Sequence, residues 1–243
     1  MTGRHALRHC DVVVLAGGLG TRLRGTIGDR PKVLAPVADR TFLDYLLDQL
    51  TAAGAQRIVF LLGFRADAVQ THLAEHPRPG LETVCLVETQ PLGTGGALRA
   101  AIPALRSDPV LVMNGDSFLE VDYGAFLRAF RRSGATAALA SVGVPDVGRY
   151  GALALDRRHH IHRFIEKQAA GGPGAINGGL YLLSQEFLAH MAQGVGTSFE
   201  RDVLERQPAG TLFAYRVHGR FLDIGTPESL AQAPAIMTIG DRG

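Results

Sequence analysis

The sequence predicts an α/β fold with a mainly parallel central sheet and a small antiparallel layer in its second half. Two observations carry this. Up to about residue 135, short apolar β-rich runs alternate with amphipathic helical stretches, the pattern of βαβ units. Beyond it, strand-like runs follow one another with few helices between them. A chain of 243 residues is long for one ordinary domain and short for two. No Pro-, Ser- or charge-rich stretch marks a linker, so one domain over 1–243 is predicted, with halves of about 1–135 and 136–243.

The elements follow in order. Val12 to Ala16 is an apolar run entering Gly-Gly-Leu-Gly, a buried strand leading into a loop. Phe42 to Ala53 places Leu43, Leu46, Leu47 and Leu50 at helical spacing, and Gly54 is a natural stop. Arg57 to Leu62 reads as a second buried strand. Arg65 to His76 reads as a helix that Pro77 ends. Val84 to Val87 is strand-like, and Gly95 to Leu105 is helical with Pro103 weakening its end. Val110 to Met113 is a strand that runs into Asn114-Gly115-Asp116. In the second half the strand candidates are Ala135 to Val144, Gly151 to Leu155, Ile161 to Glu166 and Ala175 to Leu183. Leu188 and Phe199 to Leu204 fall in helical stretches. Leu212 to Val217 and Phe221 to Ile224 are further strands, and Pro227 opens a last helix.

Composition narrows the function. With 46% hydrophobic and 20% charged residues the chain builds a core and is not disordered. A formal net charge of +2 supplies no field for nucleic acid or an anionic membrane. The longest apolar runs, such as Ile58 to Leu62, are far below the roughly 18 residues of a membrane span. Arg4 and Arg8 precede only the short run before the glycines, which does not read as a signal peptide. Cys10 and Cys85 make neither a disulfide framework nor a metal spacing. A cytoplasmic globular protein is expected.

Of the 25 Lys and Arg only Lys32 and Lys167 are lysine. A compact point charge fits where a guanidinium fork does not. The loop Ala16-Gly17-Gly18-Leu19-Gly20-Thr21-Arg22-Leu23 lies ten residues before Lys32, counted from Arg22. It is not a dinucleotide fingerprint, because Leu23 stands where the third glycine belongs. It is not a P-loop, because Thr26-Ile27 follow Gly25 with no lysine. What remains is a strand end with uncovered backbone amides and an arginine, suited to a polyphosphate.

Leu15 to Leu23 together with Pro31-Lys32 resembles the signature of the sugar-phosphate nucleotidyltransferases, and later motifs follow in the family's order over nearly the whole chain. The resemblance implies a Rossmann-like α/β/α nucleotidyltransferase fold whose antiparallel layer binds the sugar. It implies the reaction of an NTP with a sugar 1-phosphate to give an NDP-sugar and pyrophosphate. Leu15, Ala16, Gly17, Gly18, Gly20 and Thr21 would then surround the nucleotide, and Arg22 and Lys32 would hold its triphosphate. Glu88-Thr89-Gln90-Pro91-Leu92-Gly93-Thr94-Gly95-Gly96-Ala97 is similar to the stretch around the base, with Gln90, Gly93 and Thr94 as candidates.

Asp116 ends a strand expected to be central, and Asp223 lies in Phe221-Leu222-Asp223-Ile224-Gly225-Thr226-Pro227. Each could merely cap a turn. Paired, such carboxylates make an oxygen-rich Mg²⁺ site that also uses substrate phosphates, and the resemblance assigns them that role. In Phe164-Ile165-Glu166-Lys167 the family's usual following Pro is Gln168. Lys167 would bind the phosphate of the sugar 1-phosphate and Glu166 a sugar hydroxyl. Asn177 and Gly178, in Asn177-Gly178-Gly179-Leu180-Tyr181, and Gly151, in Arg149-Tyr150-Gly151, resemble further sugar-side positions.

Short length, Pro-Leu-Gly-Thr-Gly-Gly-Ala and the path from Glu-Lys into Ile-Asn-Gly-Gly most resemble the D-glycero-α-D-manno-heptose 1-phosphate guanylyltransferases. That implies GTP as donor, a GDP-heptose as product and a role in capsule, cell-surface glycan or glycosylated metabolite assembly. Mannose 1-phosphate guanylyltransferases and uridylyl- or thymidylyltransferases stay open, as does a homo-oligomer. A non-catalytic nucleotide-sugar-binding regulator would be expected to lose Arg22, Lys32, Asp116 or Asp223, and all four are present. His159, His160 and His162 read as a solvated strand end, and Arg128, Arg131 and Arg132 as the wet face of a helix. No hexapeptide-type repeats are found.

Overall fold

The computed structural model describes residues 5–167 and 171–237; Gln168 lies outside them. Thirteen strands and seven α-helices are among the described residues. The first half contains β1 (Val12–Ala16), α1 (Arg24–Ile27), β2 (Pro36–Val37), β3 (Arg40–Thr41), α2 (Phe42–Ala52), β4 (Arg57–Leu62), α3 (Ala66–Glu75), β5 (Glu82–Val87), α4 (Gly93–Ala101), β6 (Val110–Asn114), β7 (Ser117–Leu119) and α5 (Tyr123–Ser133). The second contains β8 (Ala137–Val144), β9 (Ala152–Leu155), β10 (His160–Ile165), β11 (Gly174–Leu183), α6 (Gln185–Ala192), a π-helical turn at Phe199–Leu204, β12 (Leu212–Val217), β13 (Phe221–Asp223) and α7 (Pro227–Met237).

Nine strands form one sheet in the order β5-β4-β1-β6-β11-β8-β12-β10-β9. The first four are parallel. β11 runs antiparallel to both β6 and β8. β12 joins β8 in parallel, and the β10–β9 hairpin finishes the edge. The expected antiparallel strands therefore continue the main sheet, and only β11 and β10 run against its common direction. The separate antiparallel pairs are small: β7 with β13, and β2 with β3.

The apolar runs are continuous because helices cover both faces. Along β1, Val12 and Val14 point into one core and Val13 into the other; along β4, Ile58, Phe60 and Leu62 alternate in the same way with Val59 and Leu61. α2, α3, α5 and α7 cover the first face, with Leu46, Val69, Phe126 and Leu230 in contact. α4, α6 and the π-helical turn cover the second through Leu98, Phe187 and Phe199. This is the α/β/α sandwich.

Local chemistry sets the helix ends. Thr41 caps α2 in a reciprocal box with Asp44, and Ala53 follows where the chain turns through Gly54. Asp122 caps α5, whose buried Phe126, Leu127 and Phe130 leave Arg128, Arg131 and Arg132 exposed. Cys10 is buried and its thiol is pushed up to about 12, chiefly by loss of solvation, so it stays protonated. Cys85 is also free.

Candidate active site at the switch point

From β1 the chain winds to β4 and β5, then crosses back to β6 on the other flank of β1. The crevice between the carboxyl ends of β1 and β6 is thus the topological switch point, where open α/β sheets take ligands. A cavity of about 470 Å³ opens there. It is lined by Leu15, Ala16, Gly17, Gly18 and Leu19 at the end of β1, by Asn114, Gly115 and Asp116 at the end of β6, and by Lys32. The lining is completed by Glu88, Pro91, Gly93 and Thr94 at the start of α4 and by Ser198, Phe199 and Glu200 at the π-helical turn.

Close backbone approach explains the small residues. The Gly115 amide donates to the Leu15 carbonyl at 2.9 Å, and a Cβ on Gly115 would lie 2.9 Å from that oxygen. Gly20 has φ +57°, and a Cβ there would press on the Lys32 side chain at 2.9 Å. The glycine loop and the only lysine in the cavity wall are therefore packed together. Glu88 fixes the wall at the start of α4. Its Oε2 accepts from the Leu92 amide at 3.0 Å, while its Oε1 fills the space that side chains on Gly17 and Gly63 would need. Gly93, at φ +69°, lies against the Thr197 carbonyl, whose oxygen also accepts from the Gly95 amide at 2.7 Å. Thr94 Oγ1 accepts from the Phe199 amide at 2.9 Å. These bonds seat the start of α4 against the π-helical turn.

At the centre, Lys32 Nζ donates to Asp116 Oδ2 at 2.6 Å. The lysine side chain is 15% exposed and the carboxylate 32%, so the pair is reachable but partly shielded. Asp223 stands opposite Ser117 in the β13–β7 register, and the Ile224 amide donates to the Asp116 carbonyl at 3.0 Å. The two aspartates thus sit on adjoining segments. Asp223 Oδ1 accepts from the Gly225 amide at 2.6 Å and faces the Arg149 guanidinium at 3.4 Å. No described residue donates to Asp116 Oδ1 or to Asp223 Oδ2. Each carboxylate keeps one oxygen clear of described protein donors, the kind of hard oxygen donor a divalent cation takes, although Asp223 lies outside the cavity lining.

The structure brings Leu15, Ala16, Gly17, Gly18, Lys32, Gly93, Thr94 and Asp116 to one cavity. Gly20 packs beside it, while Thr21 and Arg22 form an exposed 3-10 turn and Gln90 is exposed before α4, all outside the lining. On the other side, Gly151 has φ +83° and approaches the Ile165 carbonyl, which carries it alongside Glu166 and Lys167 at the exposed end of β10. Asn177 and the buried Gly178 lie in the middle of β11. His160 and His162 face Asp156 at 3.6 and 3.7 Å at the β9–β10 turn, away from the crevice lining.

Sequence reasoning missed Glu88 as a wall, Asn114, and above all Glu200. Glu88 and Asn114 lie inside the motifs that follow β5 and end β6. Glu200 lay in a helical stretch noted only for its apolar residues, and nothing local marked it.

Residues 11–238 match the family described as Nucleotidyl transferase. A D-glycero-alpha-D-manno-heptose 1-phosphate guanylyltransferase of Campylobacter jejuni is 30% identical over 218 residues, covering 90% of this chain and 96% of that one. A mannose-1-phosphate guanylyltransferase of Mycobacterium tuberculosis is also 30% identical, over 97% of this chain, which spans only 66% of that relative's length. Among solved structures, HddC from Yersinia pseudotuberculosis complexed with GMP-PN superposes with a TM-score of 0.79 at 34% identity, covering 93% of this chain and 98% of that one. With the switch-point crevice, the glycine loop and the fold in agreement, the chain belongs to the nucleotidyl transferase family, on the sugar-phosphate side that its sequence motifs resemble.

Proposed function

We propose that this chain transfers a guanylyl group from GTP to a sugar 1-phosphate, D-glycero-α-D-manno-heptose 1-phosphate, releasing pyrophosphate and a GDP-heptose. The observation that carries the transfer chemistry is the Lys32–Asp116 pair, set beside the glycine loop in the crevice. The names of the Campylobacter relative and of the nucleotide-bound HddC structure support the heptose and the guanine nucleotide.

A phosphate monoester has its second pKa at about 6, so the nucleophile is already ionised at neutral pH. No general base is required, in keeping with a crevice lining that holds no histidine among the described residues. Catalysis then reduces to positioning and charge neutralisation. Backbone amides of Gly17 and Gly18 receive the phosphates, and Lys32, with Arg22 from the adjoining turn, takes up charge as pyrophosphate leaves. Lys167 draws in the phosphate of the acceptor for in-line attack on the α-phosphorus. Asp116 and Asp223 would hold Mg²⁺, which supplies charge neutralisation on the phosphates when bound. On this reading the protein works in the cytoplasm and supplies an activated heptose for glycan assembly.

The test is pyrophosphate release with Mg²⁺, five NTPs and a panel of hexose and heptose 1-phosphates. Release confined to GTP with the manno-heptose 1-phosphate is the expected result. Release confined to mannose 1-phosphate would move the acceptor to the sugar named for the Mycobacterium relative. No release with any pair would overturn the reading.

A further inference from the structure

We propose that Glu200 selects the acceptor, its carboxylate taking hydrogen bonds from hydroxyls of the sugar 1-phosphate, with Asn177 and Tyr181 as the residues that position it. The proposal rests on the transferase reading above and names a residue that no sequence motif marked.

Glu200 is exposed on the crevice wall, in the π-helical turn. Its Oε1 is held twice. The Tyr181 hydroxyl donates to it at 2.8 Å and Asn177 Nδ2 at 3.0 Å. The same Nδ2 donates to the Tyr181 hydroxyl at 2.9 Å, which closes a triangle. Asn177 Oδ1 is used as well, accepting from the Gly179 amide at 3.0 Å. Both ends of the Asn177 amide are thus committed inside the protein, and its part is to orient Glu200. Tyr181 is fully buried, with its ring edge-on to Phe199 at 5.1 Å, so the anchor cannot swing. Burial and then the charge of Glu200 hold the Tyr181 hydroxyl well above its ordinary range, and it remains a donor. No described residue donates to Glu200 Oε2.

A carboxylate is an acceptor only. Beside a polyphosphate it repels, so its ligand is a neutral donor, either a sugar hydroxyl or a base N–H. The surroundings favour the sugar. Glu200 is tied to β11, the antiparallel strand on the far side of β6 from β1 and its glycine loop.

Steady-state kinetics on Glu200→Gln and Tyr181→Phe decide the matter, with GTP and D-glycero-α-D-manno-heptose 1-phosphate or mannose 1-phosphate as substrates, and with deoxy analogues of the accepted sugar. Glu200→Gln is expected to raise KM for the sugar 1-phosphate about tenfold while KM for GTP and kcat stay within about twofold. Tyr181→Phe is expected to raise the same KM by a few-fold. The penalty that wild-type protein imposes on one deoxy analogue is expected to vanish in Glu200→Gln. A rise in KM for GTP instead would make Glu200 a guanine ligand and overturn the proposal, as would an unchanged acceptor KM. Equal losses on both substrates with a lowered Tm would give the triangle a structural role only. Wild-type protein inactive with every pair would bring down the transferase reading and this proposal together; active wild type with an unaltered acceptor KM in Glu200→Gln would sink the proposal alone.

Discussion

The two walls of the crevice are built by different means. The wall at β1 and α4 is mostly main chain, glycine amides and carbonyls braced by the Glu88 carboxylate and the Thr94 hydroxyl, and it is packed so closely that Gly17, Gly63, Gly93 and Gly115 leave no room for a Cβ without movement. The wall at β11 is made of side chains, with Asn177, Tyr181 and Glu200 bonded to one another across 23 residues of sequence. A backbone cradle binds what is common to every nucleotide, its phosphates. A wall of side chains can be retuned one residue at a time, which suits a partner that varies. The contrast predicts that changes at the first wall damage turnover or folding, while changes at the second alter affinity for one substrate.

The largest expected effect lies where the walls meet. Asp116→Asn keeps the shape but breaks the 2.6 Å ion pair to Lys32. It should lower kcat by about 10³-fold, the scale at which charge-stabilising groups act. Activity near that of wild type would refute a catalytic part for Asp116. Next comes the backbone wall. Gly93→Ala must adopt φ +69° and meets the Thr197 carbonyl, at a cost of about 2–3 kcal/mol. A clear drop in Tm is expected, and a neutral outcome would show that the cradle yields.

A third change sharpens the comparison through pH. Asp44 braces α2 and accepts from Thr41, with His72 and Arg78 against it. Its site removes solvent, which raises a carboxyl, yet the bonds from Thr41 and His72 outweigh this and hold it at about 2. A depressed folded value stabilises above the unfolded value of about 3.9. That contribution, about 2 kcal/mol, should be lost as pH falls from about 4 to about 2. Melting curves of wild type and Asp44→Asn should converge over that window, and a constant gap would argue against the assignment. The smallest effect belongs to the side-chain wall and its approaches. Lys167→Ala should raise KM for the sugar 1-phosphate about tenfold, ~1.4 kcal/mol, with Tm unchanged because the residue is exposed at a strand end. A change confined to KM for GTP would place Lys167 on the wrong substrate.

Much of the fold was legible because its signals were local. The run Val12 to Ala16, the Leu spacing of α2 and the apolar β4 each declare an element within a dozen residues. β7 was not legible: three residues are too few for any periodicity, and their partner β13 lies about a hundred residues further on. The same rule governs the site. Lys32 and the glycine loop stood out because two lysines in the whole chain make each conspicuous and because glycines cluster. Asp223 joins Asp116 only through the β7–β13 pairing. Glu200 is one glutamate among many until folding sets it on Tyr181.

The nine-stranded sheet has a further consequence. β11 is hydrogen-bonded to β6 on one side and to β8 on the other, so no seam separates the two walls. The sheet therefore acts as a ruler, fixing the spacing between the two anchoring positions before any substrate arrives. Lengthening a loop leaves that gauge untouched, whereas slipping β11 by one register step would reset it for both partners at once.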